Sequence, residues 1–218
     1  MALVAGATGL IGRALLSRLL DDALYERIEV LARRPLPADV ARHERLTVHI
    51  GDASTLAGAT AGVTDVFIAL GTTIKVAGSQ AAFKAIDHDL VVTVARAARS
   101  AGATRIGVVS ALGADAKSSV FYNRVKGEME TDIASLGFAS VTFAQPSLLL
   151  GDRAALGQPE RRIERLAMKL GAPLSLLIPR SVRPIRADAV AASLVAALAK
   201  ARPGIQRLSS GEMQSRRT

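Results

Sequence analysis

Tyr122 and Lys126 stand four residues apart in Phe121-Tyr-Asn-Arg-Val-Lys126, and Ser110 closes an apolar run twelve residues before the tyrosine. Residues four apart on a helix share a face. A lysine ammonium beside a phenol favours the phenolate, and a tyrosine so tuned can give a proton to a carbonyl oxygen while the carbonyl carbon is reduced. A serine at a strand's end can hold that oxygen. Chance Tyr-x-x-x-Lys pairs are common on helix surfaces, but this chain has only two tyrosines.

Such a reduction needs a source of electrons, and the start of the chain offers a place for one. Ala2-Leu-Val-Ala5 is too short for anything but a buried strand, and it runs into Gly6-Ala-Thr-Gly9-Leu-Ile-Gly12. An apolar-periodic helix follows at once. A strand that turns sharply into a helix leaves the first helical N–H groups unpaired, and with the positive end of the macrodipole they make a site for phosphate. Gly6 permits the turn, Gly9 lets a pyrophosphate approach the backbone, and Gly12 lets the helix pack close to the strand. The spacing is G-x-x-G-x-x-G rather than G-x-G-x-x-G. A turn of this composition also joins strand to helix where no ligand binds.

The end of the second strand separates the two nicotinamide cofactors. An acid there bonds the ribose 2′-OH of NAD, whereas arginine accommodates the 2′-phosphate of NADP. This chain has Arg33 and Arg34 there, and its nearest acid, Glu29, lies earlier in the strand. Guanidinium meets phosphate in a bidentate way, so NADP(H) is favoured. A pair of surface arginines before Pro35 is the alternative. Asp52, after the third strand, either accepts from the adenine amino group or caps the helix that starts at Ala53. Gly71-Thr72-Thr73, after the fourth strand, would lie along a ribose.

The elements that must position these residues alternate. Strands are predicted at Ile28–Ala32, Leu46–Ile50, Asp65–Leu70, Arg105–Val109 and Ser140–Ala144. Helical patterns fill about Leu10–Leu20, Ala53–Ala61, Gln80–Ser100 and Phe121–Leu136. This alternation indicates an α/β fold: a Rossmann-type doubly wound parallel sheet with ligands along the C-terminal edge of its strands. From Gln145 the pattern loosens around Pro146, Pro159, Pro173, Pro179 and Pro184, with helical pieces at Arg161–Leu170 and Asp188–Ala201 and an edge strand at Gly204–Leu208. The expected organisation is one domain over 1–218, with 1–144 as the cofactor-binding core and 145–218 as a small C-terminal cover on the substrate side. Leu148–Leu150, Met168 and Leu174–Ile178 would line an apolar pocket or serve as ordinary core.

Bulk composition excludes several functions. Half of the 218 residues are apolar, so a sizeable core is available and disorder is not expected. No run approaches the roughly 20 apolar residues of a membrane span. The chain has no cysteine, hence no thiolate chemistry, and His43, His49 and His88 lack metal-ligand spacing. The net charge of +9 is scattered arginine with 3% aromatics, too few for base-stacking platforms, so nucleic acid is not an expected partner. The cluster Arg161-Arg162-Ile-Glu-Arg165 reads as a solvated helix face. The first strand leaves no room for a removable leader, and a reducing cytoplasm is the expected location.

Taken together, Gly6-Ala-Thr-Gly9-Leu-Ile-Gly12, Arg33-Arg34, Ala69-Leu-Gly-Thr-Thr73, Val109-Ser-Ala-Leu-Gly-Ala-Asp115, Tyr122-x-x-x-Lys126 and Gln145-Pro-Ser-Leu-Leu-Leu-Gly151 resemble the short-chain dehydrogenase/reductase superfamily. The chain looks most like its atypical branch, which includes Tat-interacting-protein and NmrA-like proteins. That resemblance implies Ser110, Tyr122 and Lys126 as catalytic residues, with Lys126 also holding the nicotinamide ribose. It implies cofactor contacts at Gly6, Thr8, Gly9, Leu10, Ile11, Arg33, Arg34, Asp52, Leu70, Gly71, Thr72, Tyr122, Lys126 and Pro146. Many members carry asparagine in the helix after the fourth strand. Here Asp87 stands at the position that looks equivalent, and a carboxylate cannot donate as an amide does.

Two functions follow from these residues. One is an NADP(H)-dependent oxidoreductase acting on a small carbonyl compound, with Tyr122 as acid/base. The other is a non-catalytic NADP(H)-binding protein that senses redox state for a partner. In this architecture the Tyr122 helix and the Gln80–Ser100 helix are the faces through which a homodimer would form.

Overall fold

Four central strands of the main sheet are buried on both faces, the pattern of a parallel sheet covered by helices on either side. They are β1 (Ala2–Ala5), β2 (Ile28–Ala32), β4 (Asp65–Ile68) and β6 (Ser140–Gln145). The computed structural model describes residues 1–51, 55–150 and 182–215. With β3 (Leu46–Ile50), β5 (Arg105–Val109) and β9 (Gly204–Ser209), these strands form a seven-stranded sheet in the order β3-β2-β1-β4-β5-β6-β9. Every pairing is parallel. Strand order runs one way from β1 to β3 and the other way from β4 onward. The switch therefore falls between β1 and β4, where such sheets leave a crevice at their C-terminal ends.

Helices α1 (Leu10–Asp21), α2 (Ala38–Ala41), α3 (Leu56–Thr60), α4 (Ile74–Ala77), α5 (Gln80–Lys84), α6 (Val91–Ser100), α7 (Phe121–Ala134), α8 (Ala187–Lys200) and α9 (Ser210–Ser215) connect the strands. Alternation along each strand divides the core in two. Ala2, Val4, Ile28, Val30 and Phe67 meet Leu15 and Leu19 of α1 and Val190, Leu194 and Leu198 of α8 on one face. Leu3, Ala5, Val66, Ile68 and Phe143 meet Val94 and Ala98 of α6 and Met129 and Ile133 of α7 on the other. Each large apolar side chain so buried contributes about 1.5–3 kcal/mol. An Arg18–Asp188 bridge at 2.8 Å ties α1 to α8 at the surface.

The helix expected over Gln80–Ser100 forms with an interruption: Ala85–Leu90 is a π-helical turn between α5 and α6. The described part of the chain after Gln145 gives β7 (Leu149–Leu150) paired with β8 (Ile185–Arg186), then α8, the edge strand β9 and α9. The expected helix at 161–170, Met168 and the run at 174–178 lie outside the described residues, as does Asp52.

At the N-terminal end of the sheet, the fully buried Asp65 accepts hydrogen bonds from the Tyr25 hydroxyl, at 2.7 Å, and from Arg105 Nε. Burial, and then the neighbouring Asp65 carboxylate, hold the Tyr25 hydroxyl far above the ordinary tyrosine range. This buried lock sits at the opposite end from the crevice.

Candidate cofactor and catalytic site

Three glycines shape the turn after β1, each for a different reason. Gly6 has φ +93°, and a Cβ there would lie 2.7 Å from the backbone of Ala69 at the end of β4. A Cβ on Gly12 would lie 2.0 Å from the Gly6 carbonyl oxygen, so α1 seats directly on the turn. Gly9 is the N-cap of α1, and its nearest neighbour for a Cβ is 3.5 Å away. Space is open there. Among the described residues no side chain caps α1, and its first turn carries no acid. The helix's leading N–H groups thus remain available to an anion.

These features open into a groove of about 160 Å³ at the switch point. Gly6, Ala7, Thr8 and Gly9 line one side, Leu31 to Arg34 and Gly51 a second, and Ala69, Leu70, Gly71 and Leu90 the third. Arg33 and Arg34 are exposed, and among the described residues neither has a hydrogen-bond or ion-pair partner. Glu29 is buried and engaged by His49 Nε2 at 2.7 Å, with Arg27 at 3.5 Å. The acid of β2 is therefore held within the sheet, away from any ribose. Leu10 packs against the core and Ile11 is buried in it, so these two residues offer the groove their backbone N–H groups only.

The chemistry-bearing residues gather beyond Gly71. Ser110 follows β5 directly; its N–H donates to the Ala144 carbonyl at 2.7 Å, and that of Leu112 donates to the Pro146 carbonyl at 3.0 Å. The ends of β5 and β6 are thereby sewn together, with Ser110 and Pro146 as neighbours. The Ser110 Oγ is buried and has no partner among the described residues. Tyr122 lies on the first turn of α7, half-buried, its ring 5.4 Å from that of Phe83. Lys126, one turn on, is 3% exposed, and its Nζ lies 2.7 Å from Oδ1 of Asp87. The other Asp87 oxygen accepts from the Thr72 backbone N–H at 2.8 Å. A Cβ on Gly71 would come within 3.3 Å of Asp87 Oδ1 and 3.9 Å of Lys126 Nζ. The ion pair therefore lies just beneath the groove's floor.

The sequence singled out Asp87 without its bond to Lys126, and three supporting residues, Gly127, Arg124 and Glu130, escaped it. Asp87 is a direct partner of Lys126, which spacing alone does not reveal. A Cβ on Gly127 would lie 2.1 Å from the backbone of Asp115 and Ala116, so α7 rests directly on the loop after Ser110. Arg124 donates to the Ser118 carbonyl at 2.8 Å and binds the same loop. The buried Glu130, four residues past Lys126, accepts from Gln145 at 2.9 Å and Arg207 at 2.8 Å and fixes the far half of α7. A small or polar residue at each turn of one helix face (122, 126, 127, 130) is the signal that was present for this.

Among the described residues no three His, Cys, Asp or Glu side chains converge as metal ligands. His49 pairs with Glu29, and His88 lies between Asp89 and Asp132 on the outer face of the helix pair. On that face Lys84 bonds Glu128 of α7 at 2.9 Å, which holds the Lys84 ammonium above its usual range.

Sheet order, switch point and glycine turn define a Rossmann-type dinucleotide-binding protein. The chain belongs to the NAD(P)H-binding family, whose pattern covers residues 6–140. It is 38% identical over 152 residues to Protein FMP52, mitochondrial, of Eremothecium gossypii, covering 70% of this chain and 67% of that protein. It is 39% identical over 155 residues to Protein fmp52, mitochondrial, of Aspergillus niger, covering 68% and 66%. The match thus spans about two thirds of these relatives' length. Among solved structures, dTDP-glucose 4,6-dehydratase (DesIV) of Streptomyces venezuelae, with NAD and DAU bound, superposes with a TM-score of 0.72 at 20% identity, covering 97% of this chain and 76% of that one. That likeness is one of fold. The names of the relatives correct one expectation: proteins this similar are called mitochondrial, so the cytoplasmic location inferred from the absence of cysteine does not stand. A reducing compartment explains missing disulfides equally well inside an organelle.

Proposed function

We propose that this protein is an NADP(H)-dependent oxidoreductase of the atypical short-chain dehydrogenase/reductase branch, which reduces a small carbonyl compound with Tyr122 as the acid. One observation carries the reading: Lys126 lies buried beneath Gly71, which lines the groove, and shares a helix with Tyr122. The open N-terminus of α1 and the positive φ at Gly6 fit a pyrophosphate, and the unpartnered Ser110 Oγ fits a substrate oxygen.

When bound, the cofactor supplies hydride to the carbonyl carbon. The N–H groups of Gly9, Leu10 and Ile11 hold the pyrophosphate, beside Gly6 and Thr8. Arg33 and Arg34 take the 2′-phosphate, and Asp52 the adenine amino group. Leu70, Gly71 and Thr72 lie along the ribose, whose hydroxyls Lys126 binds, while Pro146 borders the nicotinamide. Ser110 donates to the carbonyl oxygen, and Tyr122 delivers its proton. Residues 1–144 serve as the cofactor core and 145–218 as the substrate side of one domain. Two copies pair through α5–α6 and α7, and the location is mitochondrial, a reading supported by the relatives' names.

Tyr122→Phe keeps the ring on Phe83 and removes the proton. Turnover of NADPH against a carbonyl panel should fall by about 100-fold or more, with the NADPH dissociation constant within about twofold, a stated tolerance far below that loss. An unchanged rate would refute the reading. A second reading, a non-catalytic NADP(H)-binding regulator, draws on the carboxylate at position 87 where the family pattern has an amide. No turnover across carbonyls and quinones, together with cofactor-dependent binding of a partner, would favour it.

A further inference from the structure

Asp87 and Lys126 are 2% and 3% exposed at the side chain, and each is the other's ionic partner. A lone charge of either sign is very costly in such an interior, so the two remain paired or leave together. Neighbouring charges do not compete. Lys84 is taken by Glu128, and His88 by Asp89 and Asp132, all on the outer side of α5, the π turn and α7. The remaining Asp87 oxygen is spent on the backbone N–H of Thr72. One carboxylate thus joins three pieces: α7, the helix after β4, and the Gly71–Thr72 turn that walls the groove.

The helix gives up regular geometry at this place. Asp87 sits inside the π-helical turn at Ala85–Leu90, between the buried Phe83 and Val91. Such turns are rare and concentrate at functional sites. An ion pair of purely structural value needs neither the irregular turn nor the bond to Thr72, and it has no reason to lie under a glycine that leaves it within reach of the groove.

We propose that Asp87 is a positioning residue: it holds Lys126 in its ribose-binding place and locks the Gly71–Thr72 turn to it, so that ammonium and groove wall form one unit before any cofactor arrives. The role given to Lys126 rests on the function proposed above; the lock itself does not. It is a direct carboxylate–ammonium contact in the place of the family's asparagine.

The test uses the full chain without ligand and reads amide hydrogen exchange at Thr72. Lys126→Met does not touch Thr72, yet it should speed exchange there by about tenfold, because an unpaired Asp87 no longer stays in place. Lys126→Arg, which keeps the charge on Asp87, should restore slow exchange. Lys84→Met, which breaks the outer pair, should leave Thr72 unmoved. In parallel, Asp87→Asn keeps an acceptor for Thr72 but removes the charge; it should weaken NADPH binding about tenfold in the wild-type background and hardly at all on top of Lys126→Met. Thr72 exchange indifferent to Lys126→Met, or affinity losses that simply multiply, would overturn the proposal. A wild-type protein that binds neither NADPH nor NADH would instead overturn the proposed function, with the exchange data still deciding for or against the lock.

Discussion

On the proposed NADP(H) function, replacing Arg33 and Arg34 together with alanine should leave a protein that barely distinguishes NADPH from NADH. Both guanidinium groups border the groove, are exposed, and have no partner among the described residues, so their removal breaks no bond to any of these. Surface changes of that kind usually leave stability within about 0.5 kcal/mol. A hydrogen bond to a charged group contributes about 1.5–3 kcal/mol, and solvent exposure puts each arginine at or below the lower figure. The pair should then contribute about 2–3 kcal/mol, or roughly 30- to 150-fold in NADPH affinity. NADH affinity should move by less than about threefold, since tenfold would need about 1.4 kcal/mol and NADH has no 2′-phosphate to lose. Glu29 will not compensate, because His49 and Arg27 keep it inside the sheet. Fluorescence titration of both cofactors with wild type and double variant gives the four constants required. Repeating it at higher salt should narrow the wild-type gap, since exposed charges are screened. A wild-type preference for NADH, or equal losses for both cofactors, would refute the reasoning.

Two further outcomes follow from other parts of the fold. Gly12→Ala would put a methyl 2.0 Å from the Gly6 carbonyl, a backbone atom with nowhere to go; the expected cost is about 1–3 kcal/mol in thermal denaturation together with loss of dinucleotide binding. A stable variant with normal affinity would show that α1 does not seat on the turn. Tyr25 is held neutral in the fold, its hydroxyl pKa raised by burial and by Asp65. Its contribution is therefore complete below the ordinary tyrosine value of about 10 and lost as pH rises beyond it. Tyr25→Phe should lower stability at neutral pH by about 1 kcal/mol and flatten the alkaline limb of melting temperature against pH; an unchanged alkaline limb would count against the Asp65 lock.

Much of the architecture can be read in the chain because it depends on local pattern. The bounds of β2, β3 and β5 follow from apolar runs ended by polar or small residues, and the switch point follows from strand alternation. Gly6 and Gly12 behave as a strand–turn–helix demands, and the space beside Gly9 is open. Tyr122 and Lys126 were readable as neighbours on one helix. What holds Lys126 was not, because its partner lies 39 positions earlier in a π turn that has no periodic signature. For the same reason Gly127 and Glu130 went unnoticed: a close approach to a loop and a bond to the last strand are long-range facts. Side-chain direction also matters at Ile11, which a motif assigns to the ligand and the core claims.

Arg207, which secures the far half of α7 through Glu130, belongs to β9, which follows the other described strands along the chain. While residues 146–203 are still being added by the ribosome, the outer edge of β6 lacks its neighbour and α7 lacks that anchor. A nascent chain in this state displays a row of unpaired peptide groups beside an incompletely fastened helix, the kind of edge that recruits other strands. Vectorial synthesis thus sets an order of events: the helix bearing Tyr122 and Lys126 is fully secured only once residues 204–209 have emerged. Quality control that watches the β6 edge would, in this protein, also be watching whether the helix bearing Tyr122 and Lys126 is fastened.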